Sequence, residues 1–341
     1  MTTVQNDATS TPFLPMLEMI QCYRVAQPIH VVAVLGVADL VADTPLTAGE
    51  LARRTNTDAD ALYRTLRVVA CAGILTEDAE HRFGLAPLGA GLRGGGPLRA
   101  LAMLLGGVHY QAWGDLLETV RTGEPAFPRV FGQPFLDYMA GAPELRDVVN
   151  RSMSGLMQET VAAVIAAYDF ARIGTIVDVG GGQGALVHAV LARHPDTRAV
   201  LVELPPVAAA ARAALDASTI GDRVQTVGSS FFDRLPPGGD VYVLSRILQG
   251  LDDDQARTVL NRCAEAAPVG GRVLIGEMVI TSDHSTLTAG EDLHMMLVTT
   301  GGRIRTGAEH RRLLEAAGFH VSRVVPTSAP LPFTLIEGVR T

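Results

Sequence analysis

The run Asp178-Val-Gly180-Gly181-Gly182-Gln183-Gly184-Ala185 is the segment whose residue types point most directly to chemistry. Glycines at this density let a backbone approach a ligand that any Cβ would hold off. The run satisfies G-x-G-x-G and, through Ala185, also the dinucleotide pattern G-x-G-x-x-[GA]. Two features favour S-adenosylmethionine over a nicotinamide dinucleotide. Asp178 precedes the first glycine by two residues, where it can meet a cationic or hydroxylated ligand, and the run lies in the C-terminal half, behind a helical half. Glu203 follows 19 residues after Gly184, at the end of the next apolar stretch, ready to accept hydrogen bonds from two ribose hydroxyls. The plainer alternative is a tight turn in an α/β core.

The elements that must hold this run read as β-α-β. Residues 175–179, 198–202, 224–227, 240–244 and 272–279 are short buried strands, and 185–193, 207–215 and 253–267 are helices; a helix over 308–318 and strands over 320–326 and 333–339 complete the set. Such alternation predicts a mostly parallel, doubly wound sheet with the glycine run at the carboxyl edge of its first strand. Upstream, residues 16–40 are apolar on more than one face, with an interruption at Pro28. A helix apolar all round needs partners, which points to a second subunit. Thr47 with Glu50 makes a capping box, Asp58 an N-cap and Gly73 a C′ stop; with a hairpin over 74–76 and 81–85, the segment from about 44 to 92 has the shape of a winged helix-turn-helix. Residues 98–170 read as helices, with a loop over 122–134 marked by Gly and Pro, and residues 1–15 as a frayed terminus. The expected boundary falls between residues 170 and 171, an all-helical domain before it and the α/β domain after it.

Composition narrows the function classes. The 341 residues suit two domains, and 48% hydrophobic against 19% charged residues excludes a disordered chain. A net charge of −8 argues against broad nucleic-acid binding, which needs clustered Lys and Arg. Arg53, Arg54, Arg64 and Arg67 keep a winged-helix regulator as a remote alternative. Mean hydropathy is +0.23, yet no apolar stretch approaches the ~18 residues of a membrane helix. Cys22, Cys71 and Cys263 make no CxxC, and the first twenty residues carry no Lys or Arg to open a signal peptide, so the expected compartment is the reducing cytoplasm.

With Leu62-Tyr-Arg-Thr-Leu-Arg67, Gly73-Ile-Leu75, Glu203-Leu-Pro-Pro206, Ser230-Phe-Phe232, Gly301-Gly302-Arg-Ile-Arg305-Thr306 and Glu315-Ala-Ala-Gly-Phe319, the chain resembles the class I S-adenosylmethionine-dependent O-methyltransferases of secondary metabolism. These are the caffeate, hydroxyindole, mitomycin and anthracycline methyltransferase group, and the resemblance runs from about residue 16 to 337. It implies a Rossmann-like methyltransferase domain behind a winged-helix-containing dimerisation domain. The implied homodimer is intertwined, each helical half covering the partner's acceptor pocket. The resemblance assigns S-adenosylmethionine to Asp178, Gly180, Gly182, Gly184, Glu203, Ser230, Phe231 and Ser245. It lines the pocket of a small aromatic acceptor with His109, Trp113, Met295 and Thr299.

The chain also departs from the family's pattern. Where the family carries Leu-His-Asp-Trp, its His serving as general base, this sequence has Leu248-Gln249-Gly250-Leu251. One of the two acids that orient that His is kept as Glu277; the other is Ile304, and the acid that often meets adenine is Ser230. A base matters only when the nucleophile holds its proton. For a phenol of pKa about 10 at about pH 7, deprotonation costs about 4 kcal/mol, which a nearby cation or an acidic phenol offsets. The expected catalytic set is therefore His294, Glu277 and Gln249, with His294 as substitute base or acceptor-binding group and Gln249 orienting without proton transfer. O-methylation is the default, and C- or N-methylation or a non-methylating reaction the alternative. No histidine pair has ligand spacing on one helix, so no metal is expected. Arg146 and Arg151 stand open between the cofactor carboxylate and surface acids.

Overall fold

The computed structural model describes residues 13–94, 96–283, 285–329 and 332–341. Most of the terminus expected to fray lies outside them. Two compact units form: one runs to Tyr110 and includes 144–153, the other takes 111–143 and 154–341.

The first unit opens with α1 (Phe13–Ile20), α2 (Tyr23–Leu35) and α3 (Val37–Leu40). Residues 13–15, expected to fray, already belong to α1, which buries none of its residues; Phe13, Leu14, Met19 and Ile20 are exposed. The expected break at Pro28 does not occur. Pro28 sits in the second turn of α2, where its missing N–H and its ring affect only the first-turn carbonyl of Arg24. The chain turns instead at Gly36, whose φ of 66° suits a residue without Cβ. After β1 (Leu46–Thr47), α4 (Ala48–Thr55) starts on the expected capping box: Thr47 Oγ1 accepts from Glu50 N, and Glu50 Oε2 from Thr47 N at 2.8 Å. Asp58 Oδ1 caps α5 (Ala59–Cys71) by accepting from Ala61 N at 2.8 Å. The hairpin of β2 (Leu75–Glu77) and β3 (Arg82–Leu85) forms, and β1 joins it antiparallel on β3. Two residues of β1 are too few to leave a pattern in the sequence. Leu51, Leu66, Val69 and Phe83 form the core of this winged segment. Helix α6 (Pro97–Leu104) then runs into an irregular turn, Leu105–His109, where Gly107 leaves helical geometry.

Beyond it come α7 (Tyr110–Trp113), α8 (Leu116–Thr122), α9 (Ala126–Phe131), α10 (Phe135–Ala140) and the long α11 (Pro143–Ala167). The loop expected over 122–134 thus contains a helix. Gly123 and Gly132, both at φ 77°, are helix C-caps rather than loop residues, and Phe127 is buried with its ring 4.4 Å from that of Phe131 and 5.2 Å from that of Phe135.

The sheet unit follows with β4 (Thr175–Val179), α12 (Ala185–Arg193), β5 (Arg198–Glu203), α13 (Pro205–Asp216), β6 (Val224–Gly228), β7 (Val241–Ser245), α14 (Asp253–Ala266) and β8 (Arg272–Glu277). Then come β9 (Val279–Ile280), α15 (Thr286–Val298), β10 (Arg305–Thr306), α16 (Gly307–Ala316), β11 (Phe319–Pro326) and β12 (Thr334–Arg340). Seven strands run in the order β11-β12-β8-β7-β4-β5-β6, parallel except where β12 pairs with β8 and β11. This is the mostly parallel α/β architecture that the alternation predicts. The strand expected over 272–279 divides after Glu277: Val279 and Ile280 leave the sheet to pair with β10. Val161, Val164, Tyr168 and Phe170 pack with Ile176, Leu186 and Val241 beneath the sheet. The compact units therefore do not divide at 170/171, because the end of α11 is part of the sheet's core.

Candidate active site

Strand order reverses beside β4, which lies between β7 and β5, so the crevice at their carboxyl ends is where an open α/β sheet binds its ligand. The glycine run follows β4. Gly180, Gly182 and Gly184 have φ of 73°, 58° and 78°. A Cβ on Gly180 would stand 2.5 Å from Ile247 Cδ1 and 3.6 Å from Phe231 Cδ1, and one on Gly181 2.3 Å from Asp178 Oδ2; at Gly182 nothing lies within 4 Å. The loop is a cradle, open at Gly182 and closed beneath by Asp178, Phe231 and Ile247. Gly184 instead faces Leu201 and Leu215 of the core and starts α12. Glu203 ends β5 and accepts from Gly182 N at 3.1 Å and Leu204 N at 2.8 Å, which ties its carboxylate to the cradle.

Asp178 is 1% exposed, and its Oδ2 has no hydrogen-bond partner among the described residues. Burial pushes this carboxyl up to about 7, and the charge of Glu203 adds to the effect. A buried acceptor beside a second carboxylate lacks donors and positive charge, and S-adenosylmethionine brings both, as a sulfonium, an ammonium and ribose hydroxyls. The residues present fit that group. Ser230 is half-buried: its Oγ accepts from Phe232 N at 3.2 Å, and its N–H donates to Asp233 Oδ2 at 3.3 Å. Ser245 ends β7 beside Gly276.

The second half of the site is a turn after β7, Leu248–Gly250. Gln249 is buried there; its N–H donates to Glu277 Oε1 at 2.9 Å, and its carbonyl accepts from Arg303 N at 2.8 Å. Gln249 Oε1 has no partner among the described residues. Arg305, fully buried, fixes this turn with Nη1 on Leu248 O at 2.6 Å, Nη2 on Leu251 O at 2.8 Å and Nε on Asp253 Oδ1 at 2.9 Å. Burial pushes the Glu277 carboxyl up to about 7, against the Gln249 and Leu248 N–H groups and the charges of Arg305 and Arg246. His310 Nε2 stands 3.8 Å from Glu277 Oε2, and burial lowers this imidazole to about 4, so it is neutral near pH 7. Ile304, in place of the second acid, is buried, and its N–H donates to Asp292 Oδ1 at 2.7 Å.

His294 lies on α15, buried, its Nδ1 accepting from Trp113 Nε1 at 3.0 Å, the two rings inclined by 15°. Burial holds the imidazole below its ordinary value, against the pull of Glu291. Trp113 and His294, 181 positions apart in the chain, are thus brought together. Met295 is half-buried one residue on. The Thr299 hydroxyl is engaged locally, donating to Met295 O at 2.7 Å and accepting from Gly302 N at 3.0 Å. His109 is buried in the first unit, and Arg146 and Arg151 lie exposed there. Arg246, which the sequence does not single out, follows β7 with φ 58°. A left-handed arginine leaves no mark in a sequence. Among the described residues no group of three or more His, Cys, Asp or Glu is placed to hold a metal, and no helix is long and apolar enough to cross a membrane.

Residues 113–320 match the family model of the O-methyltransferase domain, and residues 17–92 that of the O-methyltransferase dimerisation domain. The winged segment falls inside the latter. The phenazine O-methyltransferase of Lysobacter antibioticus is 40% identical over 96% of this chain and 97% of its own. The 8-amino-8-demethylriboflavin N,N-dimethyltransferase of Streptomyces davaonensis is 37% identical over 89% of each. Among solved structures, an O-methyltransferase of neocarzinostatin biosynthesis in complex with S-adenosylmethionine and 2-hydroxy-5-methyl naphthoic acid is 34% identical, with a TM-score of 0.82 over 93% of this chain and 96% of its own.

Proposed function

The chain belongs to the S-adenosylmethionine-dependent O-methyltransferase family, as a homodimer acting on a small secondary-metabolite acceptor, and from that premise we propose that its aromatic acceptor reacts without a protein base. Bound S-adenosylmethionine supplies a methyl group on a sulfonium, open to attack by a nucleophile. In this reading Gly180 and Gly182 admit the cofactor, Asp178 and Glu203 answer its positive charge and ribose hydroxyls, and Ser230, Phe231 and Ser245 border it. Residues 1–170 serve dimerisation, residues 171–341 hold the cofactor, and the reaction runs in the cytoplasm.

The observation that carries the proposal is Gln249 in the buried turn where the family has its base. An amide orients but takes no proton near neutrality. His294 does not replace it: indole N–H only donates, so Nδ1 of His294 accepts, and the neutral ring carries its proton on Nε2. With Nδ1 accepting from the indole and Nε2 protonated, the ring has no lone pair left to take a proton. Glu277 is a positioning residue that holds the Gln249 turn through its N–H. The rate then rests on proximity and orientation, with a nucleophile that is ionised beforehand or needs no ionisation.

Methyl transfer to phenols graded from pKa about 7 to about 10 tests this, with rate followed against pH. The expected rate tracks the ionised fraction of each phenol. Equal rates for weak and strong acids at about pH 6.5 would mean that the protein supplies a base. N-methylation is a second reading, favoured by Gln249 Oε1, an acceptor able to meet an amine N–H, and by the N,N-dimethyltransferase among the relatives. An arylamine in the same assay checks it.

A further inference from the structure

Arg246 occupies a left-handed conformation, φ 58°, that side-chain-bearing residues rarely adopt and that persists where the surroundings impose it. Its N–H donates to Gly276 O at 2.9 Å, which ties it to the end of β8. The side chain is 12% exposed, and Nη1 is buried without a hydrogen-bond partner among the described residues. The nearest carboxylate to Nη2, Glu291 Oε1, stands off at 3.9 Å, too far for a hydrogen bond. A buried guanidinium with unmet donors is expensive unless an anion with matching oxygens arrives.

Glu291 gives Nη2 an ion-pair partner at 3.9 Å, but among the described residues no neighbouring group hydrogen-bonds Nη1. Glu277, on β8, feels the Arg246 charge, but its Oε1 is taken by Gln249 N–H. Glu291 on α15 is partly exposed, and His294 one turn on is bonded to Trp113. Arg305, from β10, is spent on the 248–251 turn and Asp253, and His310 of α16 faces Glu277. Three residues beyond Arg246, Gln249 Oε1 has the opposite need, an acceptor without a donor. One segment at the carboxyl edge of the sheet therefore asks for an anion at one end and a polar hydrogen at the other.

We propose that the methyl acceptor is an aromatic acid whose carboxylate is bound by the Arg246 guanidinium. This deepens the aromatic-acceptor reading above and rests on it. A carboxylate fits the planar fork of donors as a neutral amide does not. Bound there, the ring would present its O–H or N–H toward the Gln249 amide.

The test uses 3-hydroxy-2-naphthoate and the neutral 3-hydroxy-2-naphthamide, titrated calorimetrically into the homodimer with S-adenosylhomocysteine present. The native protein should bind the acid at least about ten-fold more tightly than the amide, the scale of one charge-assisted hydrogen bond. Arg246→Asn, which tolerates a left-handed backbone, should erase that preference by weakening the acid alone. Arg246→Lys should restore part of it. Equal native affinities, or a preference that survives in Arg246→Asn at unchanged melting temperature, would overturn the proposal. If neutral phenols bind and are methylated while naphthoate does not bind, the carboxylate inference fails and the aromatic reading stands. If no aromatic probe binds, both fail.

Discussion

Trp113 Nε1 donates to His294 Nδ1 across 3.0 Å, although 181 positions separate the two residues in the chain. The direction of the bond is fixed by the indole, which has no acceptor.

His294→Ala should therefore raise KM for the acceptor more than it lowers kcat, and leave the pH–rate profile in place. Trp113→Phe removes the indole donor from Nδ1 and should alter kcat/KM by several-fold at most. Steady-state kinetics from about pH 5.5 to 8.5 check both. A new limb that follows imidazole titration in the native protein, absent in His294→Ala, would assign the proton to His294.

Glu277 makes a pH-dependent contribution to stability. Its folded carboxyl is raised to about 7 by burial, above the unfolded value of 4.5, so the contribution is full below 4.5 and is lost as pH rises through about 7. Glu277→Gln removes this dependence. The melting temperature of the variant relative to the native protein should rise between about pH 5 and pH 8, as scanning calorimetry would record.

Glu203→Ala should weaken S-adenosylmethionine binding at least several-fold, the scale expected for losing charge-assisted hydrogen bonds. Asp178 adds a pH signature. Its carboxyl, raised to about 7, must ionise to answer a cation, so affinity should grow as pH rises through that value. Asp178→Asn should bind more weakly and with a flat pH response. Calorimetry at about pH 6 and pH 8 separates the two.

The protein should run in light scattering at twice the 36.0 kDa of one chain. The double change Met19→Glu with Ile20→Glu puts charge on α1, which buries nothing within its own chain, and should shift the population toward monomer at micromolar concentration. A native monomer would contradict the apolar first helices as interface.

Where local pattern decides structure, the sequence was sufficient. Residues 175–179 and 185–193 are placed to the residue, because a β-branched run and a glycine-led helix have few other readings. Gly123 and Gly132 misled, since a glycine that caps a helix and one that sits in a loop are the same letter. Pro28 misled in the other direction, its cost falling on a single first-turn carbonyl. The glycine turn after β4 was legible because it is local, and Glu203 because it ends the next strand. The long-range contacts were not: the His294 tautomer depends on Trp113, the Gln249 turn on Arg305, and Arg246 on a backbone angle.

Helix α11 gives residues 144–153 to one compact unit and the rest to the other, and the chain passes between the units at 110/111, 143/144 and 153/154. Exchange of whole modules with a relative would therefore need three seams instead of one. A fragment beginning at residue 171 would lose Val161, Val164, Tyr168 and Phe170 from under its sheet and expose the apolar floor they cover. During synthesis, the aromatic cluster around Phe127 emerges well before the strands of its own unit, so that unit has to wait for the end of the chain to close its core.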